Sequence, residues 1–537
     1  MSRNGSRVHV PLQKKLRIAL VNLRALINEW HHIRMVPLGL LYISAAAKHA
    51  YGDRIEVRLF DLAVCGTPQP LKLKEALHAF LEESRPDLVG IRGFSSQAAE
   101  FLHVARAAKE VNPDCLVIAG GPHASTGSLD LFMAEDIDLV VRGEGEMTFV
   151  EIVGNLLEGR DHTATTGVGW LENGEPVRTP QQQPILDLDT LPFPDYSLID
   201  LDQYQGEITM TDFLARTRFT SLFTSRGCPY RCTYCHTIFG KRLRTRSVQN
   251  VIAEMAELIE THEVREFHIV DDIFNADRTR AIAIFDEIAR RGWNISIAFP
   301  NGLRGDRMDE EFISAARAAG TYQWALAVET ASHRLQKQVQ KFNKLDRLRD
   351  TIALSDRYGV VTTTFNMLGF PTETEDEMRA TIDFNAESAA HIAHFFVVTP
   401  YEGTRLHDEL VLRPREHGVP PDPCSQGYMD FSSTDGHDSL CAVPRSRIAV
   451  LVREAVRRFY FDGPTRLTRM GELSAWQHNP ASLAQFIHRR LQAAGLSVST
   501  VTAPVRTVLT DLFTRAKAAE PELFSHLLGP LSEWTAV

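Results

Sequence analysis

No stretch of this chain approaches the roughly 20 uninterrupted apolar residues that a membrane helix needs. The first 15 residues mix Arg, Lys, Asn and His without the apolar core of a signal peptide, which points to a cytoplasmic protein. Cysteine is scarce: seven in 537 residues is not a disulfide framework. Basic residues are not in excess either. With 58 Lys and Arg against 68 Asp and Glu, the formal charge is −10, so no basic coat for nucleic acid is present. Internal repeats and low-complexity tracts are also missing. What remains is an ordinary globular composition, 44% hydrophobic and 23% charged. The length exceeds what one hydrophobic core fills, so roughly two to four domains are expected.

After an N-terminal tail (1–15), residues 16–158 alternate short apolar runs with amphipathic helical patterns. Leu16–Leu23, Ile55–Leu59, Leu88–Ile91, Leu116–Ala119 and Leu139–Val141 read as strands. That rhythm predicts βαβ units and a parallel, doubly wound sheet. Glycine-bearing loops follow several strands, at Gly93, Gly120-Gly121-Pro122 and Gly143-Glu144-Gly145-Glu146. Ligands bind at such strand ends in an open parallel sheet. Residues 159–215 turn polar and proline-rich and read as a linker packed across two domains.

Residues 216–410 return to βα alternation, with six strand candidates: Phe219–Thr224, Phe267–Asp271, Asn294–Phe299, Tyr322–Val328, Val360–Leu368 and Ile392–Thr399. Six βα units predict a partial TIM-type barrel. Residues 411–537 read as mainly helical, with helices at Arg445–Tyr460 and Ser482–Ala494, and carry no motif. We expect this region to close over the substrate.

Three of the seven cysteines fall within eight residues, Cys228-Pro-Tyr-Arg-Cys232-Thr-Tyr-Cys235, directly after the first barrel strand. Clustered cysteines in a cytosolic chain point to metal. Thiolates ligate iron–sulfur clusters, and three of them grip three irons of a four-iron cube. The fourth iron is then open to a small molecule. The competing reading is zinc with His236 as fourth ligand, but His236 adjoins Cys235, which makes joint tetrahedral ligation awkward.

The CxxxCxxC spacing resembles the signature of the radical S-adenosylmethionine (SAM) superfamily. The resemblance implies a [4Fe–4S] cluster on Cys228, Cys232 and Cys235 whose open iron chelates SAM. One-electron cleavage then yields methionine and a 5′-deoxyadenosyl radical. It further implies that Tyr234 lies near the adenine, that Glu329 and Thr364 contact the ribose and methionine parts of SAM, and that Asp271 holds its amino end. Helix capping is the simpler reading of Asp271 and Asp272.

The preceding domain resembles the cobalamin-binding, class B branch of that superfamily. The matching pieces are Pro37-Leu38-Gly39-Leu40, Ser95-Ser96, Gly120-Gly121-Pro122-His123, Arg142-Gly143-Glu144-Gly145-Glu146 and Leu191-Pro192-Phe193-Pro194-Asp195. Ser95, Ser96, Gly120, Gly121, Gly143 and Glu144 are the implied cobalamin contacts. Glycines let backbone approach a ligand without a Cβ between. The DxHxxG pattern of His-ligated cobalamin domains is missing, so no protein histidine is expected below the cobalt. His31 and His32 lack that pattern, and His123 reads as a hydrogen-bonded structural residue. A nicotinamide site is not supported, since Thr148 stands where GxGxxG would need its third glycine.

The resemblance implies a cobalamin-dependent radical SAM methyltransferase acting on an unactivated carbon or phosphorus centre. The alternative is a non-methylating member of the same branch, an oxidative cyclase or rearrangement enzyme. A non-catalytic sensor would need neither an open iron nor acids at strand ends. Implied partners are a small-molecule substrate and an external electron donor of flavodoxin or ferredoxin type. The basic loop Lys241-Arg242-Leu243-Arg244-Thr245-Arg246 is either a solvated loop or a site for a phosphate- or nucleotide-bearing substrate.

Overall fold

The computed structural model describes residues 15–24, 34–65, 70–127, 129–204, 210–412, 439–473, 476, 480–496 and 500–519. His31, His32 and Cys424 lie outside the described residues.

Strands β1 (Leu16–Asn22), β2 (Ile55–Asp61), β3 (Leu88–Arg92), β4 (Leu116–Gly120) and β5 (Leu139–Val141) pair in parallel in the order β2-β1-β3-β4-β5. Leu16 stands beside Ile55 and Ile18 beside Leu88. Both faces are covered, which is why the strands are almost continuously apolar. Along β1, Ile18 and Leu20 join Leu40, Phe149 and Ile152 in one core. Ala19 and Val21 join Leu77, Phe101 and Val104 in the other. The direction of winding reverses between β1 and β3. In such sheets a crevice opens there, beyond the carboxyl ends of the strands.

The stretch read as linker is only partly one. β6 (Val168–Glu172) and β7 (Glu175–Arg178) form an antiparallel hairpin that extends the sheet from β5. Its strands are short and carry Gly, Pro and charge, so they give no clear alternation. The remainder does bridge the domains. Asp195 accepts from Ser44 at 2.7 Å and pairs with Lys48 at 2.6 Å. The Tyr196 hydroxyl lies 3.0 Å from Thr220 Oγ1, and Tyr204 donates to Asp61 at 2.6 Å.

The second sheet starts with β8 (Phe219–Leu222). A short antiparallel pair follows, β9 (Ser225–Arg226) and β10 (Arg244–Thr245). Then come β11 (Glu266–Ile269), β12 (Ser296–Leu303), β13 (Thr321–Glu329), β14 (Val361–Leu368) and β15 (Ile392–Val397). Six strands pair in parallel in the order β8-β11-β12-β13-β14-β15, a partial barrel with helices outside. Ser247 caps the first outer helix, accepting from Asn250 N at 3.1 Å. Among the described residues, no helix is long and apolar enough to cross a membrane.

The C-terminal helices Arg445–Phe461, Thr465–Glu472, Pro480–Ala494 and Ala503–Ala519 share one core with the barrel. Tyr460 Oη accepts from Ala393 N of β15 at 2.9 Å. Arg490 reaches His394, which pairs with Asp212 at 2.7 Å. Asp212 also takes Thr363 and Gln323 near the starts of β14 and β13. These described helices therefore pack on the barrel's side and floor, while Leu440 packs with Phe370 and Val398 at the carboxyl ends of β14 and β15.

Candidate active site at the meeting of two domains

The three cysteines sit at the carboxyl end of β8, on a loop whose shape is set by backbone. Gly227 adopts φ +87, and a Cβ there would stand 2.3 Å from the Arg242 carbonyl, so only glycine fits. Cys228 N donates to Gly240 O at 3.3 Å and Thr233 N to Val339 O at 3.0 Å. Cys232 is buried, and a hydrogen bond with Cys235 holds its thiol below the ordinary value while raising that of Cys235. Lys341 also lowers the Cys232 thiol. A lowered thiol is a ready ligand. Burial raises the thiol of Cys228. Among the described residues, no three His, Cys, Asp or Glu converge on one point as single-ion ligands would. A cube, in which each thiolate takes its own iron, does not require such convergence. Three cysteines on one loop are a donor set that fits a [4Fe–4S] site.

Tyr234 and Glu329 meet beside this loop. The Tyr234 phenol is raised well above its ordinary value, first by burial and then by Glu329. Its ring lies 5.7 Å from that of Phe370. Glu329 ends β13 with φ +64, a strained value for a residue with a Cβ. It pairs with Lys341 at 3.2 Å. Lys341 was invisible to sequence reasoning, because nothing in KFNK marks one lysine as buried.

Two implied SAM contacts move elsewhere. Asp271 is buried and accepts from Thr224 N at 2.6 Å, Thr224 Oγ1 at 2.5 Å and Ser225 Oγ at 2.6 Å. It shapes the segment leading into the cysteines. Neither Asp271 nor Asp272 caps the next helix. Asp272 accepts from Gly227 N at 3.1 Å, and Asp277 caps the helix through Arg280 N. Thr364 donates to Asn385 Oδ1 at 2.6 Å on the outer helix Glu375–Glu387. Side chains alternate across a strand, so Thr364 faces away from the barrel interior, whereas Thr363 faces in.

A cavity of about 350 Å³ lies between the carboxyl ends of the first sheet and the barrel mouth. One wall is Gly39, Gly90, Gly120, Gly121, Gly143 and Gly145. The other includes Ser221, Phe223, Val270, Asp272 and His236 of the cysteine loop. A Cβ added at Gly39 would meet no atom within 4 Å, and one at Gly120 would meet only Ile91 O at 3.9 Å. Side chains there would project into the cavity and fill it. This glycine cradle fits cobalamin.

The predicted contacts divide. Gly120, Gly121, Gly143 and Glu144 line the cavity, and Ser95 and Ser96 do not. Ser95 Oγ lies 3.3 Å from His123 Nδ1, and His123 Nε2 lies 2.8 Å from Asp130 Oδ2. Both ring nitrogens are engaged, so His123 is structural. The Glu144 carboxylate is occupied by Arg226 and Arg244. Arg246 is likewise paired, with Glu254. Arg244 and Arg246 are both buried and paired, so neither is free to take a phosphate, whereas Arg242 is exposed.

A doubly wound domain that presents a glycine cradle to a three-cysteine loop at a barrel mouth defines a two-cofactor metalloenzyme. Comparison with known proteins gives the family. The radical SAM superfamily model matches residues 222–384, and the B12 binding domain model matches residues 32–153. The chain is 32% identical over 427 residues to an uncharacterized methyltransferase of Pyrococcus horikoshii, covering 79% of this chain and 87% of that one. It is 29% identical over 423 residues to cytidylyl-2-hydroxyethylphosphonate methyltransferase of Streptomyces wedmorensis, covering 70% and 78%. Its fold is similar to that of the radical SAM methyltransferase TsrM from Kitasatospora setae, solved with cobalamin and a [4Fe-4S] cluster, at 18% identity and a TM-score of 0.63 over 94% of this chain and 100% of that one. The chain belongs to the cobalamin-dependent radical SAM enzymes, whose cofactors are a [4Fe–4S] cluster, SAM and cobalamin.

Proposed function

We propose that this enzyme transfers a methyl group to an unactivated carbon or phosphorus centre of a small molecule in a biosynthetic pathway. The observation that carries the reading is the single cavity bounded by the glycine cradle on one side and the cysteine loop on the other. When bound, the cluster with SAM supplies a primary carbon radical and cobalamin supplies the methyl group. The protein holds these groups and excludes water. Cys228, Cys232 and Cys235 hold the cluster, and Tyr234, Glu329 and Lys341 stand where SAM would lie against it. Glu329 accepts from Lys341 and lies against Tyr234. Gly120 and Gly121 let backbone approach the cobalamin. Leu38, Ile43, Phe94, Phe223, Ile238 and Phe239 keep the space between apolar. Such walls protect a carbon radical from solvent. The electron comes from an external one-electron carrier of flavodoxin or ferredoxin type.

The test is turnover of SAM deuterated in its methyl group. We expect labelled product with equal amounts of S-adenosylhomocysteine and 5′-deoxyadenosine. Turnover that forms 5′-deoxyadenosine and product without S-adenosylhomocysteine would assign the protein to the non-methylating branch.

A further inference from the structure

We propose that Glu144, on the glycine loop of the cobalamin domain, is a positioning residue for the cluster loop. It acts by neutralising two arginines that the loop itself sets against each other. The inference rests on the functional reading above for what the loop carries, and on geometry for the rest.

Arg226 directly precedes Gly227-Cys228, so its backbone position fixes where the first cysteine starts. In the β9–β10 pair, Arg226 and Arg244 are direct cross-strand partners. Like charges opposite one another destabilise a strand pair. Here the repulsion is weakly screened, because the side chains of Arg226 and Arg244 are only 5% and 3% exposed. Nothing within the barrel's own loop neutralises them. Glu144 does so from the other domain, and its own side chain is 5% exposed. Arg226 Nη1 donates to Glu144 Oε2 at 3.1 Å, Arg244 Nη1 donates to the same oxygen at 3.0 Å, and Arg244 Nη2 donates to Oε1. Glu146 takes Arg226 Nη2 at 2.6 Å, so two carboxylates balance two guanidinium groups.

The rest of the cluster-loop hairpin depends on this balance. Arg244 also donates to Ile185 O at 2.6 Å and to Phe239 O at 3.0 Å. The Arg226 guanidinium lies 5.3 Å from the Tyr42 ring and 5.4 Å from the Phe239 ring. Domain linker, cobalamin domain and cluster loop thus meet on two cations. On the glycine-loop side the frame is stiff. Gly143 sits at φ +80, its N–H donates to Ser125 Oγ at 3.0 Å, and Glu146 opens a helix of 12 residues. A carboxylate on so fixed a turn sets the distance between the two cofactor sites. Reactions between two bound groups require that distance to hold within about 0.5 Å.

The experiment uses the anaerobic holoprotein with cluster and cob(II)alamin. The rate at which the chelator bathophenanthroline strips iron is measured, together with spin coupling between the reduced cluster and cob(II)alamin. Removing one member of a buried ion set leaves an uncompensated charge. Glu144→Gln should therefore raise the iron-loss rate by on the order of tenfold and change the spin coupling. Adding Arg244→Met removes the cation that Glu144 opposed, and the iron-loss rate should return to within about threefold of the parent. Folding of the double variant where Glu144→Gln alone does not fold counts as the same rescue. Iron loss at the parent rate in Glu144→Gln would overturn the proposal, as would a double variant no better than the single one or a failure of both to fold. Neither readout depends on methyl transfer, so a failure of the functional reading would be seen separately.

Discussion

Asp271 offers a sharp test of the site as built, because sequence resemblance places it on SAM and the structure places it under the cluster loop. Its carboxylate takes one backbone N–H and two hydroxyls, all buried. Hydrogen bonds to a charged group contribute about 1.5–3 kcal/mol each. Asp271→Ala strands three donors at once, at a cost of about 3–5 kcal/mol concentrated where β8 feeds the cysteines. Asp271→Asn is gentler. Its amide oxygen still accepts from Thr224 N, and the hydroxyls of Thr224 and Ser225 can rotate to accept from its NH₂. Burial already raises the Asp271 carboxyl above its ordinary value, so removing the charge also removes a desolvation cost. The asparagine variant should lose about 1–2 kcal/mol. The assay pairs iron retention against a chelator with SAM affinity by equilibrium dialysis, both on anaerobic protein. Iron retention should fall from parent to Asn to Ala, while SAM affinity per intact cluster stays within about threefold. An asparagine variant that holds iron like the parent but binds SAM at least about tenfold more weakly would refute this placement.

Replacing Cys228, Cys232 or Cys235 with Ala should abolish the cluster's visible absorption and SAM cleavage, whereas Cys65→Ala, Cys115→Ala, Cys424→Ala and Cys441→Ala should retain both; absorption spectra and 5′-deoxyadenosine formation decide it. Gly121→Leu should weaken cobalamin binding by more than about tenfold, since φ +87 alone costs a residue with a Cβ about 1–2 kcal/mol and that Cβ would lie 2.8 Å from Arg92 Cγ. His123→Ala should leave the cob(II)alamin paramagnetic spectrum free of any lost nitrogen splitting. Burial raises Glu373 from 4.5 to about 7, so the folded state holds its proton longer than the unfolded chain does. The stability this contributes is complete below 4.5 and is lost as pH rises to about 7. Glu373→Gln should flatten that decline in a thermal-midpoint series across the window.

Much of the fold was legible because periodicity and burial agree. All five strands predicted in the first domain and all six in the barrel are present, because a sheet covered on both faces needs unbroken apolar runs. The β6–β7 hairpin escaped because half-exposed strands with Pro176 and Gly169 lack that signal. In the site, the cysteines and the glycines were readable because their chemistry is local. The cluster spacing spans one loop, and the glycines answer to backbone. Side chains whose role depends on a distant partner were not readable. Thr364 was assigned to SAM, although strand alternation turns it to Asn385. The ion pairs of Glu144 gave no local signal, because its partners lie 82 and 100 residues away. The basic loop read as open to an anion because the acids that bury it, Glu144 and Glu254, come from elsewhere in the chain.

The β6–β7 hairpin also bears on how the protein behaves before it is loaded. Without it, the edge of β5 would stand open beside the cofactor crevice, a template for another chain's strand. The hairpin moves the sheet's edge outward to β7, Glu175-Pro176-Val177-Arg178. Pro176 offers no N–H, and Glu175 and Arg178 are exposed charges at either end, so β7 is a poor partner for a second molecule. At Gly169 a Cβ would stand 2.5 Å from the Phe132 ring, so the hairpin lies tight on the domain. The consequence is colloidal: on this side of the sheet, chains waiting for iron and cobalamin offer one another a poor edge for pairing.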